Sequence, residues 1–136
     1  MSSDIRSHHD LKVWQLGMDI AKRIYGITRS FPREELYGLS SQLRRAASSI
    51  PANIAEGNGR NSTREYLHHL SIAVGSLCEI ETFLQLCLRL NLGPKKEVLD
   101  VLELLTEEAR MLRGLQKSLR SKLENMQSNS NKNKQL

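Results

Sequence analysis

The stretch REELYGLSSQLRRAASSIPANIAEG, residues 33–57, decides the fold of this chain. Its apolar positions recur every three or four residues, at Leu36, Leu39, Leu43, Ala47, Ile50 and Ile54. This period puts them on one face of an α-helix. Pro51 interrupts the pattern, but the apolar stripe resumes in phase at Ile54, so we expect one helix over residues 33–56 with a kink at Pro51. Gly57 fits the left-handed position that follows a helix.

Three further segments have the same helical period, and strand patterns are absent from the sequence. They cover about residues 11–31, 62–91 and 94–126. Ser62 and Glu65 form a capping-box pattern at the start of the third helix, and Pro94 suits the first turn of the fourth. Four helices with brief connections predict an all-α protein, an antiparallel up-down-up-down four-helix bundle with a kinked second helix.

The length of 136 residues fits a single domain. We expect a flexible N-terminus at residues 1–9, the bundle at residues 10–126 and a disordered polar tail at residues 127–136. No run of 18 apolar residues occurs and the first residues are polar, so we expect a cytoplasmic protein without a membrane span. Cys78 and Cys87 face opposite sides of one helix, so we expect reduced thiols.

Catalytic and metal-binding patterns are weak. A di-metal site in a helical bundle needs the Glu-x-x-His pair twice, and this chain has it once, at Glu65 and His68. The sequence has neither a nucleophile elbow nor a phosphate loop with a lysine. We therefore expect a protein that is not an enzyme and holds no cofactor or metal.

Basic residues gather at the end of the chain, where residues 109–136 hold seven cations and one acidic residue. The candidate nucleic-acid-binding residues are Arg110, Arg113, Lys117, Arg120 and Lys122. Such a cluster attracts phosphates. The alternative is structural, because acidic residues early in a helix and cations late in it also complement the helix dipole.

The third helix carries apolar residues on two sides. Besides the face turned towards the bundle, it has a second group at Ile72, Phe83, Leu86 and Leu90. A monomer would leave this group in water, so we expect it to be a subunit contact. On the second helix, Arg45 and Glu56 lie among small outward residues and are candidates for pairing across that contact; the alternative is a solvated surface.

One charge falls inside the apolar arc of the third helix, at Glu81. An unpaired buried carboxylate costs several kcal/mol, which favours a structural ion pair. The candidate partners are Arg44, on the flank of the second helix, and Arg60, in the turn that follows it.

The motifs of the chain resemble those of a known family over about residues 10–123. They are Asp10-Leu-Lys-Val-Trp14, Tyr37-Gly-Leu39, Gln42-Leu-Arg-Arg-Ala46, Ser49-Ile-Pro-Ala-Asn-Ile-Ala-Glu-Gly57, Gly59-Arg60, Ile72-Ala73, Gly75-Ser-Leu77 and Glu79-Ile-Glu81. They are similar to the four-helix-bundle proteins encoded in 23S rRNA intervening sequences, also called S23 ribosomal proteins. The resemblance implies a ring-like homo-oligomer, a pentamer, and makes Arg44, Glu56, Arg60 and Glu81 motif residues.

The resemblance implies no established activity. A related bundle, the accessory protein of diversity-generating retroelements, partners a reverse transcriptase and nucleic acid. We therefore expect a non-enzymatic, self-assembling protein that associates with RNA or with a nucleic-acid-processing protein. The alternatives are a purely structural homo-oligomer without nucleic-acid binding and, less favoured, a metal-dependent bundle enzyme.

Overall fold

The computed structural model describes residues 7–135, and within that range it is built from helices and turns without a strand. The four long helices are α1 (Lys12–Arg29), α2 (Leu39–Asn58), α3 (Thr63–Leu90) and α4 (Lys95–Gln135). Two short 3₁₀ turns, His8–Asp10 and Arg33–Glu35, precede α1 and α2. The predicted all-α four-helix bundle is confirmed.

Each helix of the bundle packs against two neighbours, in the order α1, α2, α3, α4 and back to α1. Aliphatic side chains from all four fill the centre, among them Ile20, Ile24, Leu43, Ile50, Ile54, Leu70, Ile80, Leu84, Leu105 and Leu112. An up-down-up-down chain path gives this ring of neighbours. That path and the kink at Pro51, which lies inside the continuous helix α2, stay predictions.

Local signals in the sequence explain where α3 begins and ends. The hydroxyl of Ser62 accepts a hydrogen bond from the Glu65 backbone N–H at 3.3 Å, which is one half of the predicted capping box. Asn91 ends the helix in the left-handed conformation, with φ of 56°. Gly93, with φ of 75°, continues the turn into α4.

The second predicted helix differs from the structure at both ends. Residues 33–35 form a separate 3₁₀ turn, because Gly38 (φ −105°, ψ −113°) leaves the helical conformation before α2 begins. Gly57 lies within α2 and does not follow it as a left-handed residue. A β-carbon at Gly57 would come within 2.9 Å of the Tyr66 and His69 side chains, so glycine is needed here for close packing against α3.

The ends of the chain also differ from the prediction. Helix α4 continues to Gln135, through the tail that was predicted to be disordered from residue 127. No glycine or proline after Gly114 stops it, and the side chains of residues 124–133 are exposed, so backbone hydrogen bonds alone carry this extension. The first six residues of the predicted flexible N-terminus lie outside the described residues, and Ser7 caps the turn that follows.

By length and mean hydropathy, α3 would be able to cross a membrane, a test that the core helix of a soluble bundle also passes. The absence of a run of 18 apolar residues predicted no such helix. The property reflects the two apolar sides of α3, one of which lies in the bundle core. The absence of a membrane partner stays a prediction.

Candidate functional site

The second apolar side of α3 is exposed, as expected. We call Ile72, Phe83, Leu86 and Leu90 the α3 stripe. Ile72, Leu86 and Leu90 are 39%, 40% and 53% exposed, although an aliphatic side chain gains free energy when it leaves water. Phe83 is half-buried and packs against the core, so it joins the stripe to the interior of the bundle. The stripe is therefore a supported apolar surface on a rigid helix.

Arg45 and Glu56 find partners within their own chain. Arg45 lies 3.9 Å from the Glu79 carboxylate of α3. Glu56 accepts a 2.6 Å hydrogen bond from Arg60, one helical turn further on. Both pairs are exposed, so each contributes little to stability. Both side chains therefore have an ion-pair partner within their own chain and do not need one from another subunit.

The expected ion pair of Glu81 is not formed. Glu81 is exposed and lines a groove between α3 and α4 together with Arg113. Arg44 is turned towards α1, and Arg60 is paired with Glu56. The Arg44 Nε donates to Thr28 Oγ1 at 2.8 Å, and its guanidinium lies 4.9 Å from the centre of the Tyr25 ring.

The candidate cations in the middle of α4 divide into two groups. At 3.6 residues per turn, Arg110, Arg113, Lys117 and Arg120 share an arc of about 80° and span about 15 Å of the helix axis. We call these four the basic face. Lys122 lies about 180° around the helix from Arg113 and is not part of it.

The basic face is open to solvent. Its four side chains are exposed, and Arg110 pairs with Glu107 of the preceding turn. The other three have no ion pair among the described residues. Unpaired cations on an exposed helix face are available to a polyanion.

A polar network between α2 and α3 was not anticipated from the sequence. It consists of Ser49, Asn53, His69 and Ser76, and we call it the polar seam. The Asn53 Nδ2 donates to the Ser49 carbonyl at 2.9 Å, which turns Asn53 Oδ1 towards His69 Nδ1 at 3.0 Å. Because an amide oxygen only accepts, His69 Nδ1 carries the proton of this bond.

The remaining links of the polar seam join the two helices directly. Ser76 of α3 donates to the Ser49 hydroxyl of α2 at 2.9 Å. His69 Nε2 lies 3.9 Å from the Glu56 carboxylate. Asn53 and Glu56 belong to the Ser49–Gly57 motif, so part of that motif serves to fasten α2 to α3.

The buried acidic residue of the bundle is Glu108, which the sequence analysis did not single out. Its side chain has no solvent exposure, and neither oxygen has a hydrogen-bond partner among the described residues. Burial raises the pKa of the Glu108 carboxyl to about 8. The signal was present, because residue 108 falls in phase with the core positions Val101, Leu105 and Leu112.

Across the part of the chain that the structure describes, no group of three metal-ligating side chains comes together. Glu65 and His68, the residues of the single Glu-x-x-His pair, are both exposed. Cys78 is exposed and Cys87 is buried, and both are free thiols. The strongest candidates for function are therefore two surfaces, the α3 stripe and the basic face.

Comparisons with known proteins agree with this architecture. A family model described as 23S rRNA-intervening sequence protein matches residues 9–114. A crystal structure of a protein of unknown function from the S23 ribosomal protein family of Bacteroides thetaiotaomicron is similar, with a TM-score of 0.71 and 25% sequence identity. The match covers 77% of this chain and 95% of that one. No curated protein sequence matches the chain.

Proposed function

The chain belongs to the 23S rRNA-intervening sequence protein family, and from that premise we propose that it is a non-enzymatic, self-assembling protein that associates with RNA. The main observation in support of self-assembly is the exposed α3 stripe. Three aliphatic side chains are 39–53% exposed on one side of one helix, above a half-buried phenylalanine. Clustered exposed apolar residues of this kind mark interaction sites.

The proposed partner of the stripe is another copy of the chain. A ring needs a heterologous contact, in which the stripe of one copy meets a different surface of the next. The outward side of α2 suits this role because Ser41, Ser48 and Ala52 are small and exposed, which lets a neighbouring helix approach closely. Five copies in the ring is the number that the family resemblance implies.

The assembly is tested with Leu86→Glu combined with Leu90→Glu. Both side chains are exposed, so the fold tolerates the change while each charge opposes burial at an interface. Met18→Glu with Leu99→Glu is the matched control, since these residues are 46% and 43% exposed on α1 and α4. The proposal expects the first variant to sediment as a monomer and the control as the native assembly. Equal masses for the two variants and the native chain would contradict it.

The basic face supports the association with RNA. In a ring, every copy repeats the same four cations, and polyanion affinity rises with the number of phosphates neutralised. Base stacking has little part in this, because the chain has only six Phe, Tyr and Trp residues. The alternative, a purely structural module, predicts no RNA affinity at low salt.

The proposal gives the protein no catalytic role, no cofactor and a cytoplasmic location. Both thiols are free, and Cys78 is exposed, which suits a reducing compartment. Neither surface gathers the acid, base and nucleophile that hydrolytic catalysis needs.

A further inference from the structure

Glu108 occupies a core position of α4 without the partner that a buried charge needs. Its side chain has 0% exposure and both oxygens lack a hydrogen-bond partner among the described residues. An isolated ionised carboxylate in such a place shifts its protonation equilibrium instead of staying charged. The neutral acid is therefore the form that this position accommodates.

Gly17 of α1 provides the room for the Glu108 side chain. A β-carbon at residue 17 would lie 3.0 Å from Glu108 Oε2, 3.3 Å from Ile50 Cγ2 and 3.6 Å from Pro51 Cβ. The carboxyl thus lies where α4 meets α1 and the proline-containing part of α2. Gly17, Ile50 and Pro51 contribute only backbone and hydrocarbon at this place.

The charged groups on the helices around Glu108 are paired with one another at the surface or exposed to solvent, and none of those described forms an ion pair with Glu108. The surface pairs are Asp19–Arg23 on α1, Glu56–Arg60 at the end of α2, Arg45–Glu79 between α2 and α3, and Glu107–Arg110 on α4. Arg44 bonds to Thr28 and His69 to Asn53, whereas Lys12, Lys22, Arg64, Glu65, His68, Glu81 and Arg89 are exposed. No cation lies within 4.0 Å of the Glu108 carboxyl among the described residues.

We propose that the contact between Glu108 and Gly17 is a pH-sensitive element, which holds α4 against α1 while the carboxyl is neutral and loosens when it ionises. An ionised Glu108 would be buried without a hydrogen-bond partner or a cation among the described residues. The loss of its hydration therefore opposes the close packing of α4 against α1. In the loosened form, water reaches the carboxylate between the two helices.

The direction of the effect follows from proton linkage. Burial raises the pKa of Glu108 from an ordinary value of 4.5 to about 8. Between these two values the folded chain holds one proton more than the unfolded chain, so the folding equilibrium constant falls as pH rises. The fall is about tenfold per pH unit and stops above the folded pKa.

The test compares the native chain, Glu108→Gln and Glu107→Gln by urea unfolding at pH 6, 7, 8 and 9 and at one protein concentration. Glutamine keeps the shape of the neutral acid, and Glu107 is the exposed neighbour that serves as the control. We expect the pH 6 to pH 8 loss in the native chain and in Glu107→Gln to exceed that in Glu108→Gln by about fiftyfold, because the folded carboxyl is half ionised at pH 8. The same loss in all three would overturn the proposal.

Two further measurements keep the test decisive if Glu108→Gln folds poorly. Carbon NMR of the glutamate carboxyls in the native chain should show one resonance that titrates near pH 8. Hydrogen exchange, corrected for intrinsic rates, should show less protection around residue 108 at pH 9 than at pH 6. Titration of every glutamate below pH 6, or unchanged protection, would contradict the proposed element.

Discussion

The β-carbon that an alanine would place at residue 57 falls 2.9 Å from the β-carbon of His69, so α2 and α3 meet at Gly57 with no space between them. Gly57→Ala must push the helices apart, and we expect it to lower the free energy of unfolding by about 1–3 kcal/mol. The control is Gly75→Ala, where nothing lies within 4 Å and alanine favours the helix by up to about 1 kcal/mol. Urea unfolding measures both. If Gly57→Ala proved as stable as Gly75→Ala, the close contact would be refuted.

The polar seam should contribute measurably to stability. Asn53→Ala removes the acceptor of His69 and a donor to Ser49, leaving part-buried polar groups unpaired. We expect a loss of about 1–3 kcal/mol in the free energy of unfolding. Ser71→Ala is the control, since the exposed Ser71 hydroxyl bonds to the Leu67 carbonyl of its own helix, and its effect should stay within about 0.5 kcal/mol. A double-mutant cycle with His69→Ala that gives no coupling would contradict the network.

The two thiols should differ sharply in reactivity. Burial, followed by the nearby Glu35 charge, raises the pKa of the Cys87 thiol to about 11, and the side chain has no exposure. At pH 8 it is therefore protonated and shielded, whereas Cys78 is exposed. A thiol-specific disulfide reagent should label one thiol per folded chain quickly and the second only after unfolding. In Cys78→Ser, rapid labelling of the folded chain would show that Cys87 is accessible.

RNA binding should depend on the basic face. We expect Arg113→Gln with Lys117→Gln and Arg120→Gln to weaken binding and to make the slope of log affinity against log salt shallower by about two units. The charge-matched control is Lys22→Gln with Arg29→Gln and Lys95→Gln, three exposed residues outside the basic face. Fluorescence anisotropy with a labelled single-stranded RNA across a salt series measures both. Equal losses in the two variants would remove the basic face from the proposal, and no binding by the native chain would favour the purely structural alternative.

The helices themselves follow from local pattern. Period, the Ser62 cap and the proline positions place all four, because each signal acts within a turn or two of its own residue. Gly57 shows the limit of prediction from local sequence signals. Its place after an apolar stripe predicts a helix stop, yet the requirement comes from His69 and Tyr66 on another helix, which no local pattern contains.

Glu81 and Glu108 show the same difference between what a helical pattern predicts and what the packing of helices decides. A helical wheel puts Glu81 inside the apolar arc but does not tell which neighbouring helix covers that position, and an open groove lies there. Glu108 is one of the acidic residues early in α4 that the helix-dipole alternative explains together, yet it shares the core phase of Leu105 and Leu112. The charge of a residue follows from the sequence of its own helix. Its burial depends on how that helix is rotated relative to its neighbours.

The central claim is that copies of this chain cover one another's α3 stripe, and sedimentation equilibrium of the native chain at micromolar concentration tests it most directly. We predict one species with five times the chain mass of 15.5 kDa, and the same value at several concentrations. A different multiple would correct the number of subunits. A single species of 15.5 kDa would contradict the account.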